Sequence, residues 1–452
     1  MIDINLPNGA MKIIKQLENY EFEAYVVGGC IRDCLLGFIP KDWDICTSAT
    51  PQEVEAIFNN HQIIETGLKH GTVTIIMDDG QYEVTTFRTE ENYTDNRHPD
   101  KVTFVKSIEK DLARRDFTMN AIAYSPLRDV VDSFGGEVDL QEKRISCVGN
   151  EDERFNEDGL RIMRALRFSS VYGFEIDNLT SEAIHRNVKL LNNISSARIN
   201  SELCKLLCGK GCLNVLLEYK DVFVTIIPEL VPCIGFNQNN KYHKYTIYDH
   251  IAHAVSNYKG TDISVKIALL LHDIGKPLCY SEDQNGGHFY GHAVPSHDIA
   301  EKVLSRLKFD NKTKDTVLQL VLYHDSVIDS GTKAIKRWLN KIGAEQFYRL
   351  LGVKFADIEA HADGTQDDRI KHYNYVALML TEVIAREQCF KIKNLKINGD
   401  DIIALGVPQG RGVGKILNAL LDDVISERCE NRRDLLLEKA KMYSEEKFNE
   451  QL

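Results

Sequence analysis

The sequence predicts an α+β fold, with a small mixed α/β head followed by an all-helical body. Strand and helix patterns alternate at the start of the chain, whereas helical periodicity dominates after about Gly149. A length of 452 residues allows two to four domains. Ten of the 14 histidines lie between His243 and His372, which marks a second domain with its own chemistry. We expect domains at about 1–145, 146–235, 236–370 and 371–452.

Composition excludes several classes of protein. The chain is 43% hydrophobic and 27% charged, with no apolar run long enough to span a membrane and no signal peptide, so we expect a cytoplasmic protein without a membrane partner. Eleven cysteines without a C-x-x-C pair do not indicate a disulfide framework or a zinc ribbon. The net charge of -12 means that any RNA contact must use local basic patches.

The head is predicted element by element. "EAYVV" is typical of a strand, "GGCIRDCLLG" of a turn into a helix, and "WDICTS" of a second strand. "TPQEVEAIFNN" is a helix with Thr50 as its N-cap and Pro51 at its first position. "TVTIIM" and "YEVTTFR" flank an Asp-Gly turn, the signature of a hairpin.

Two aspartates, Asp42 and Asp44, lie in "KDWDICTSAT". Within a strand they would project from one face, where their charges repel unless a cation lies between them. A solvated edge strand with two surface acids is the alternative. The neighbouring motifs favour a metal site. Glu83, on a neighbouring strand, is the candidate third carboxylate, although the alternation of side chains along that strand also allows it to point outward.

Immediately upstream, "VVGGCIRD" places Gly28 and Gly29 at the end of a strand. Glycines let the backbone approach a phosphate, and Arg32 adds a forked donor for phosphate oxygens. A tight turn would explain the glycines alone. Followed by Asp-x-Asp, however, the pattern predicts a triphosphate site beside Mg²⁺.

These blocks continue with "TTFRTEENYTDNRHPDKVTF", "DLARRDFTMNAIAY", "VDSFGGEVDL" and "RFNEDGLRIMRALRF". In this order they resemble the class II tRNA nucleotidyltransferase and poly(A) polymerase family, over roughly residues 22 to 205. The resemblance implies a polymerase-β-like head that adds CCA to the 3′ end of tRNA from CTP and ATP without a template. It also implies that catalysis depends on Asp42 and Asp44.

The resemblance assigns further residues. In "RRDFTMN", Arg114, Arg115, Asp116 and Asn120 would orient the ribose and the triphosphate. "TEENYTDNRHPD" resembles the flexible loop of enzymes that add the terminal A, and Asp95 and Arg97 would be its working residues, although an exposed loop has a similar composition.

Base choice is predicted from Asp158 and Arg161, which lie three residues apart in a segment with a helical pattern. Cytosine and adenine present an amino group beside a ring-nitrogen acceptor, whereas uracil and guanine present a carbonyl beside an N–H. A carboxylate and a guanidinium together therefore fit C and A. The alternative to base selection is that Asp158 caps a helix and forms an ordinary i,i+3 ion pair with Arg161.

Other arginines follow the same segment. Arg154, Arg161, Arg164 and Arg167 form a positive stripe, which would contact nucleotide or tRNA phosphates or form a solvated face. We expect Arg164 to bind nucleotide and Arg167 to bind RNA. "SSARINSELCKLL" matches a further family motif through Arg198 and Glu202, expected as a helix-positioning ion pair, and Arg198 is also a candidate for RNA binding.

The histidine-rich domain contains "ALLLHDIGKP". It resembles an HD-type domain, a resemblance that assigns its core ligands to His250, His272, Asp273 and Asp357. His292 and His324 would add a second transition metal and allow phosphohydrolase chemistry, in which a bridging water attacks a phosphoester. The domain could equally be structural, and one buried histidine with a cap is the simplest alternative.

The tail, "KINGDDIIALGVPQGRGVGKIL", resembles the helical tRNA-binding segment of the family. Within the family, an enzyme that adds only the terminal A and a poly(A) polymerase remain alternatives. From another class, the chain would be a metal-dependent phosphohydrolase whose first domain binds RNA.

Overall fold

The computed structural model describes residues 4–65, 67–91, 101–284, 286–386 and 388–449. Two compact units divide the chain. The first comprises Met1–Val231 with Arg306–Phe309, and the second comprises Pro232–Ser305 with Asp310–Leu452. Over the described ranges, helices that combine the length and hydrophobicity of a membrane span are absent.

The first unit contains strands and helices in alternation. Its strands are β1 (Ala24–Val27), β2 (Asp44–Thr47), β3 (Gln62–Ile64), β4 (Thr72–Met77), β5 (Gly80–Thr86), β6 (Arg88–Glu91), β7 (Lys101–Phe104), β8 (Ala123–Ser125), β9 (Asp129–Val131), β10 (Arg144–Ile145) and β11 (Glu175–Ile176). Its helices are α1 (Asn8–Asn19), α2 (Gly29–Leu35), α3 (Pro51–Ile57), α4 (Ile108–Ala113), α5 (Gly136–Glu142), α6 (Glu151–Glu157), α7 (Leu160–Tyr172), α8 (Asn178–Asn187), α9 (Ser196–Leu207), α10 (Cys212–Glu218) and α11 (Lys220–Ile226).

A mixed sheet in the order β3-β4-β5-β2-β1-β8-β9 forms the centre of the head. Strand β2 pairs antiparallel with β1 and parallel with β5, and the latter pairing sets Asp44 beside Glu83. The predicted hairpin is confirmed as β4 and β5, which pair antiparallel. The mixed α/β head predicted from the sequence is therefore correct.

Local signals explain where α3 begins. The Thr50 side chain accepts a hydrogen bond from the Glu53 backbone N–H, and the Glu53 carboxylate accepts one from the Thr50 N–H. This capping box satisfies two backbone donors that the helix would otherwise leave unpaired. Thr50 and Pro51 are the cap and first residue, as predicted.

The core of the head fixes the edge of the sheet at which the functional residues lie. All four residues of β1 are buried, and Tyr25, Val27, Cys46 and Phe87 belong to one apolar cluster. Because β1 and β2 are antiparallel, the end of β1 and the start of β2 meet at the same edge. Gly28 and Asp44 therefore lie close together.

The second unit is mainly helical. Its helices are α12 (Ile247–Asn257), α13 (Ile263–Leu271), α14 (Ala293–Arg306), α15 (Asn311–Tyr323), α16 (Thr332–Ile342), α17 (Ala344–Glu359), α18 (Asp367–Ala385), α19 (Gly399–Ala404), α20 (Arg411–Ile425) and α21 (Arg433–Asn449). One short hairpin, β12 (Ser281–Asp283) with β13 (Gly286–His288), departs from the all-helical prediction. Helix α13 packs against α12, α15 and α17, and this group carries most of the predicted metal ligands.

Candidate active site

A cavity of about 280 Å³, here called the head pocket, opens where β1 ends and β2 begins. It is lined by Gly29, Cys30, Arg32, Asp42, Asp44, Arg115, Asp116, Asn120, Arg164, Arg167 and Phe168. Nine of the residues singled out in the sequence thus surround one cavity, although they come from four separate stretches of chain. The combination of acids and guanidiniums suits a metal-bound polyphosphate.

Gly28 shapes the entrance to α2. Its φ of +80° lies in the left-handed region, which glycine adopts without strain. A Cβ added there would stand 2.7 Å from Nη1 of Arg115. A larger residue would therefore strain the turn and displace the Arg115 guanidinium from the pocket.

The carboxylates differ from the prediction in one respect. Strand β2 begins at Asp44, so Asp42 precedes it and is not a strand residue. The reason is that β1 ends at Val27 and the chain turns at Gly28, which leaves no β1 partner opposite Asp42. Asp42 and Asp44 nevertheless line the same cavity.

Charge accumulates around Asp44. The surrounding protein removes water and raises the pKa of Asp44, and the negative charges of Glu83 and Asp42 raise it further, while Arg115 lowers it. Glu83 also lines a cavity of about 220 Å³ with Asp44. The parallel pairing of β2 and β5 therefore orients Glu83 towards Asp44.

A hydrogen-bonded chain connects two arginines across the head pocket. Arg32 donates to Oδ1 of Asn120 at 2.7 Å, and Asn120 donates to Oδ1 of Asp116 at 3.0 Å. Oδ2 of Asp116 accepts from Nε of Arg164 at 2.7 Å. Burial alone would raise the pKa of Asp116, but the Arg164 guanidinium, the Asn120 hydrogen bond and the Arg161 charge together outweigh it and hold that pKa well below its usual value.

The predicted base-selecting residues line another cavity of about 280 Å³, here called the base cavity, which shares Arg115, Asp116 and Arg164 with the head pocket. Asp158 and Arg161 were expected on one continuous helix, and this is wrong. Helix α6 ends at Glu157 and α7 begins at Leu160. Asp158 is extended (φ -143°, ψ 103°), and its carboxylate accepts from the Leu160 N–H, which competes with helical hydrogen bonding.

Asp158 and Arg161 are therefore paired with other residues and not with each other. Nη1 of Arg161 donates to Oε2 of Glu157 at 2.6 Å, and Nη2 donates to the carbonyl oxygen of Arg114 at 3.0 Å. Asp158 is paired with Arg198 from α9 at 2.7 Å. Both residues are thus fixed by neighbours at the wall of the base cavity.

The arginine stripe does not form a solvated face. Arg154 pairs with Glu157, Arg164 with Asp116, and Arg167 with Glu202 at 2.7 Å. Arg198 and Glu202 consequently do not pair with each other as expected, because each has a closer partner on another element. Arg164 and Arg167 line the head pocket instead of facing outward.

Sequence reasoning missed Phe168, which is buried and lines the head pocket. Its position four residues after Arg164 on α7 was the available signal, since such residues share a helix face. The predicted loop residues Asp95 and Arg97 lie outside the described residues.

The second unit gathers the six predicted metal ligands into what we call the histidine centre. His250, His272, Asp273 and Asp357 offer ligand atoms within 4.8 Å of one another, and so do Asp273, His292 and His324. Nε2 of His250 lies 2.9 Å from Oδ1 of Asp357, and Nε2 of His292 lies 3.1 Å from Oδ1 of Asp273. Asp273 belongs to both groups and links them.

The imidazoles of the histidine centre are oriented by the backbone. The Nδ1 atoms of His272, His292 and His324 lie 2.7, 2.8 and 2.7 Å from backbone carbonyl oxygens. This contact favours the tautomer in which Nδ1 carries the proton and Nε2 offers a lone pair, the arrangement common for metal-binding histidines. Nε2 of His272 is buried and has no hydrogen-bond partner among the described residues. The donor set therefore fits a transition metal.

A cavity of about 820 Å³ adjoins the histidine centre. His243 and His361, which sequence reasoning did not single out, line it with ring centroids 4.4 Å apart. Burial lowers the pKa of His361 to about 4. The clustering of histidines in the sequence was the signal for these two residues, but spacing alone did not separate them from the remaining histidines.

Three family models match parts of the chain. Residues 24–146, which include most of the head pocket, match the poly A polymerase head domain. Residues 173–232 match a model described as the probable RNA and SrmB-binding site of polymerase A. Residues 292–440 match the putative domain 2 of tRNA nucleotidyltransferase.

Curated proteins and solved structures match at greater length. The CCA-adding enzyme of Ligilactobacillus salivarius (strain UCC118) is 34% identical over 451 residues, or 99% of this chain and 100% of that protein. The CCA-adding enzyme of Geobacillus kaustophilus (strain HTA426) is 49% identical over 200 residues, or 44% of this chain and 49% of that protein. The Bacillus stearothermophilus CCA-adding enzyme in complex with CTP aligns with a TM-score of 0.72 at 28% identity over 98% of both chains. The Thermotoga maritima CCA-adding enzyme complexed with tRNA-CCA is similar in fold, with a TM-score of 0.61 at 20% identity over 97% of this chain and 95% of that one.

Proposed function

The chain belongs to the CCA-adding enzymes, and we propose that it completes the 3′ end of tRNA with C, C and A from CTP and ATP, releasing pyrophosphate. The observation that supports this at the level of residues is the head pocket, where Asp42 and Asp44 share one cavity with Arg32, Arg115 and Arg164. Carboxylates for a divalent cation beside guanidiniums for a triphosphate are the groups that nucleotidyl transfer requires.

Asp42 and Asp44, with Glu83 as the third carboxylate, would hold Mg²⁺. The raised pKa of Asp44 is consistent with this fit, because loss of water and then the negative charges of Glu83 and Asp42 disfavour its ionised form, and a cation would offset both effects. When bound, the cation lowers the pKa of the attacking 3′-hydroxyl and neutralises charge on the pyrophosphate. The chain itself contributes the pairing of β2 with β5, which fixes two of the three carboxylates before substrate arrives.

The triphosphate would lie against the arginines of the head pocket. Asn120 and Asp116 hold Arg32 and Arg164 through side-chain hydrogen bonds, so both guanidiniums are oriented in advance. Gly28 and Gly29 keep the backbone close without a Cβ, and Arg115 extends the positive charge towards Asp44. These residues bind and orient the nucleotide and take no part in proton transfer.

Base selection would use Asp158 and Arg161 at the base cavity. The Asp158 carboxylate accepts from an exocyclic amino group, and Arg161 donates to a ring nitrogen, as C and A both allow. Arg161 has five N–H donors, so its bonds to Glu157 and to the carbonyl of Arg114 leave it able to donate to a base. Arg167 and Arg198 stay candidates for RNA contact, although both are ion-paired here.

The domain assignment is part of the same proposal. We assign residues 1–145 to the catalytic head, 146–235 to a helical neck, 236–370 to an HD-type domain and 371–452 to a tRNA-binding tail. The division of the chain after Val231 supports the boundary near 235. A cytoplasmic location follows from the proposed tRNA substrate and stays a prediction.

The test uses three tRNA transcripts that end before CCA, after C and after CC. Each is incubated with the protein, Mg²⁺ and one labelled nucleotide (CTP, ATP, UTP or GTP) or with CTP and ATP together, and products are resolved to single nucleotides. Completion of all three transcripts to CCA with UTP and GTP refused is the expected result. Extension of only the CC-ended transcript by one A would indicate an A-adding enzyme, and long A tails would indicate a poly(A) polymerase.

The histidine centre supports a second candidate function, metal-dependent phosphohydrolysis. The supporting observation is the convergence of four imidazoles and two carboxylates beside a cavity of about 820 Å³. A bound transition metal would supply an activated water for attack on a phosphoester. The chain's own residues hold the ligands in place through their Nδ1 contacts with the backbone. Loss of phosphoester hydrolysis on removal of the metal, with nucleotide addition unchanged, would support this second activity.

A further inference from the structure

Three arginines of the head pocket surround one aromatic ring. The Cζ atoms of Arg32, Arg164 and Arg167 lie 5.1, 5.4 and 4.0 Å from the centroid of the Phe168 ring. Phe168 is 3% exposed and itself lines the head pocket. A guanidinium within about 6 Å of a ring centroid is attracted by the negative face of the π-system.

Each of these arginines also has one carboxylate partner. Arg32 donates from Nε to Oδ1 of Asp33 at 2.9 Å, and Arg164 donates to Asp116. Arg167 is paired with Glu202 at 2.7 Å. The carboxylates come from three different parts of the chain, whereas the Phe168 ring is common to all three guanidiniums; Arg32 also lies 5.1 Å from the centroid of the Tyr172 ring.

The arrangement brings like charges together. Burial lowers the pKa of Arg167; Glu202 raises it, and the nearby charges of Arg164 and Arg32 lower it further. The three carboxylates offset part of this repulsion, and the negative face of the Phe168 ring adds an attraction that acts on all three guanidiniums. The ring is held in turn by Phe117, edge-on at 5.9 Å, and by Tyr172, stacked at 6.0 Å, so it cannot easily move away.

We propose that Phe168 is a positioning residue for nucleotide binding, whose π-face holds Arg32, Arg164 and Arg167 together at the wall of the pocket assigned to the triphosphate. The inference rests on the proposed assignment of the head pocket to the triphosphate. Phe168 touches none of the reacting atoms in this role. It acts through the arginines, by setting how far apart three phosphate-binding groups lie before the nucleotide arrives.

The test compares Phe168→Leu, which keeps an apolar side chain but removes the ring, with Phe168→Tyr, which keeps the ring. Phe174→Leu is the matched control, because Phe174 packs against Tyr172 with ring centroids 5.6 Å apart and, among the described residues, makes no cation–π contact with these arginines. Four quantities are measured for the full-length protein: KM and kcat for CTP, the dissociation constant of inorganic tripolyphosphate by calorimetry, and the melting temperature.

Phe168→Leu is expected to raise KM for CTP and to weaken tripolyphosphate binding, each about tenfold, because contacts with three cations are lost together. Its melting temperature should fall no further than that of Phe174→Leu. Phe168→Tyr should restore both constants to near their native values. A loss of kcat with KM and tripolyphosphate binding unchanged would overturn the proposal, and so would equal losses in the Leu and Tyr variants.

An error in the proposed reaction and an error in the proposed role of Phe168 would give different results. If the native protein binds tripolyphosphate and Phe168→Leu weakens that binding, but no nucleotide is added to tRNA, the proposed reaction is wrong and the role of Phe168 stands. If the native protein completes CCA and Phe168→Leu binds tripolyphosphate normally, the reaction stands and the role of Phe168 is wrong.

Discussion

Arg198 donates to both carboxylate oxygens of Asp158, at 3.3 and 2.7 Å. Asp158 lies in the break between α6 and α7, where its N–H donates to the Arg154 carbonyl and its carbonyl accepts from the Arg161 N–H, and Arg198 reaches its carboxylate from α9. The proposed base-reading carboxylate is therefore oriented by a residue 40 positions away in the sequence. Its neighbour in the motif, Arg161, is held separately by Glu157.

This relationship predicts a loss of base discrimination in Arg198→Ala. Without Arg198 the Asp158 carboxylate keeps its bond from the Leu160 N–H but loses the two bonds from the guanidinium, one to each oxygen, so the penalty for a base that presents a carbonyl there decreases. A mismatched buried polar group costs about 1 to 3 kcal/mol, so the preference for CTP over UTP should decrease about tenfold or more. The measurement is the ratio of kcat/KM values for the two nucleotides. An unchanged ratio would show that Asp158 is positioned without Arg198, and Arg306→Ala, which breaks the exposed pair with Glu229, controls for general loss of an ion pair.

Replacement of Asp44 by Asn should abolish nucleotide addition while the fold remains intact. The substitution removes one of the negative charges that would hold the divalent cation, and such stabilisation of the transition state is worth several kcal/mol. Since each 1.4 kcal/mol is tenfold in rate, the rate should decrease by about a thousandfold or more. Primer extension and circular dichroism are measured together. Asp78→Asn, at an exposed position in the turn between β4 and β5, should extend tRNA normally.

The Asp116–Arg164 pair predicts a pH-dependent contribution to stability. Asp116→Asn removes the charge partner of Arg164, whose side chain is 34% exposed, and should lower the free energy of unfolding by about 1 to 2 kcal/mol at pH 7, because solvent screens part of the unpaired charge. Because the folded-state pKa of Asp116 is depressed, the pair stabilises the fold above the unfolded-state value of about 4 and loses that effect as the pH falls below it. Urea unfolding at pH 7 and at about pH 3, inside the range where the effect is lost, measures this. The difference between native protein and variant should narrow at the lower pH, and a difference that widens would contradict the assigned sign.

The metal proposed for the histidine centre should be lost when one of its ligands is replaced. Asp273→Asn alters the ligand common to both groups and should reduce the transition-metal content measured by mass spectrometry to a small fraction of the native amount. The melting temperature should then become insensitive to a chelator, because a metal stabilises only the fold that binds it. Asp325→Asn is the control, since Asp325 lines the same cavity outside both groups. Equal metal content in Asp273→Asn and native protein would refute the site.

Short-range signals were enough for much of the head. Three features depend on residues within a few positions of each other, so the sequence alone predicts them: the Thr50 cap, the β4–β5 hairpin and the apolar strand β1. The prediction of a continuous helix through Asp158 was wrong because the apolar periodicity of the sequence continues through the break between α6 and α7. There the aspartate's own side chain competes for the Leu160 N–H, and Gly159 adds little helical preference.

Long-range partners were the part that the sequence could not specify. The motifs named Arg32, Asn120, Asp116 and Arg164 as site residues, and the structure adds that they form one hydrogen-bonded chain. Residues such as Arg198 and Glu202 are four positions apart, which suggests a helical pair, yet each binds a residue on another element. Packing of α7 against α9 decides this, and no local pattern encodes it.

The parallel pairing of β2 with β5 limits where the chain can tolerate an insertion or a deletion. Glu83 lies beside Asp44 because it is the fourth residue of β5, and side chains alternate along a strand. One residue inserted between Gly80 and Glu83 would shift that parity and turn the glutamate to the opposite face of the sheet. We therefore expect insertions and deletions in this hairpin to be confined to the turn at Asp78 and Asp79, where an added residue loops out and the face that Glu83 presents is unchanged.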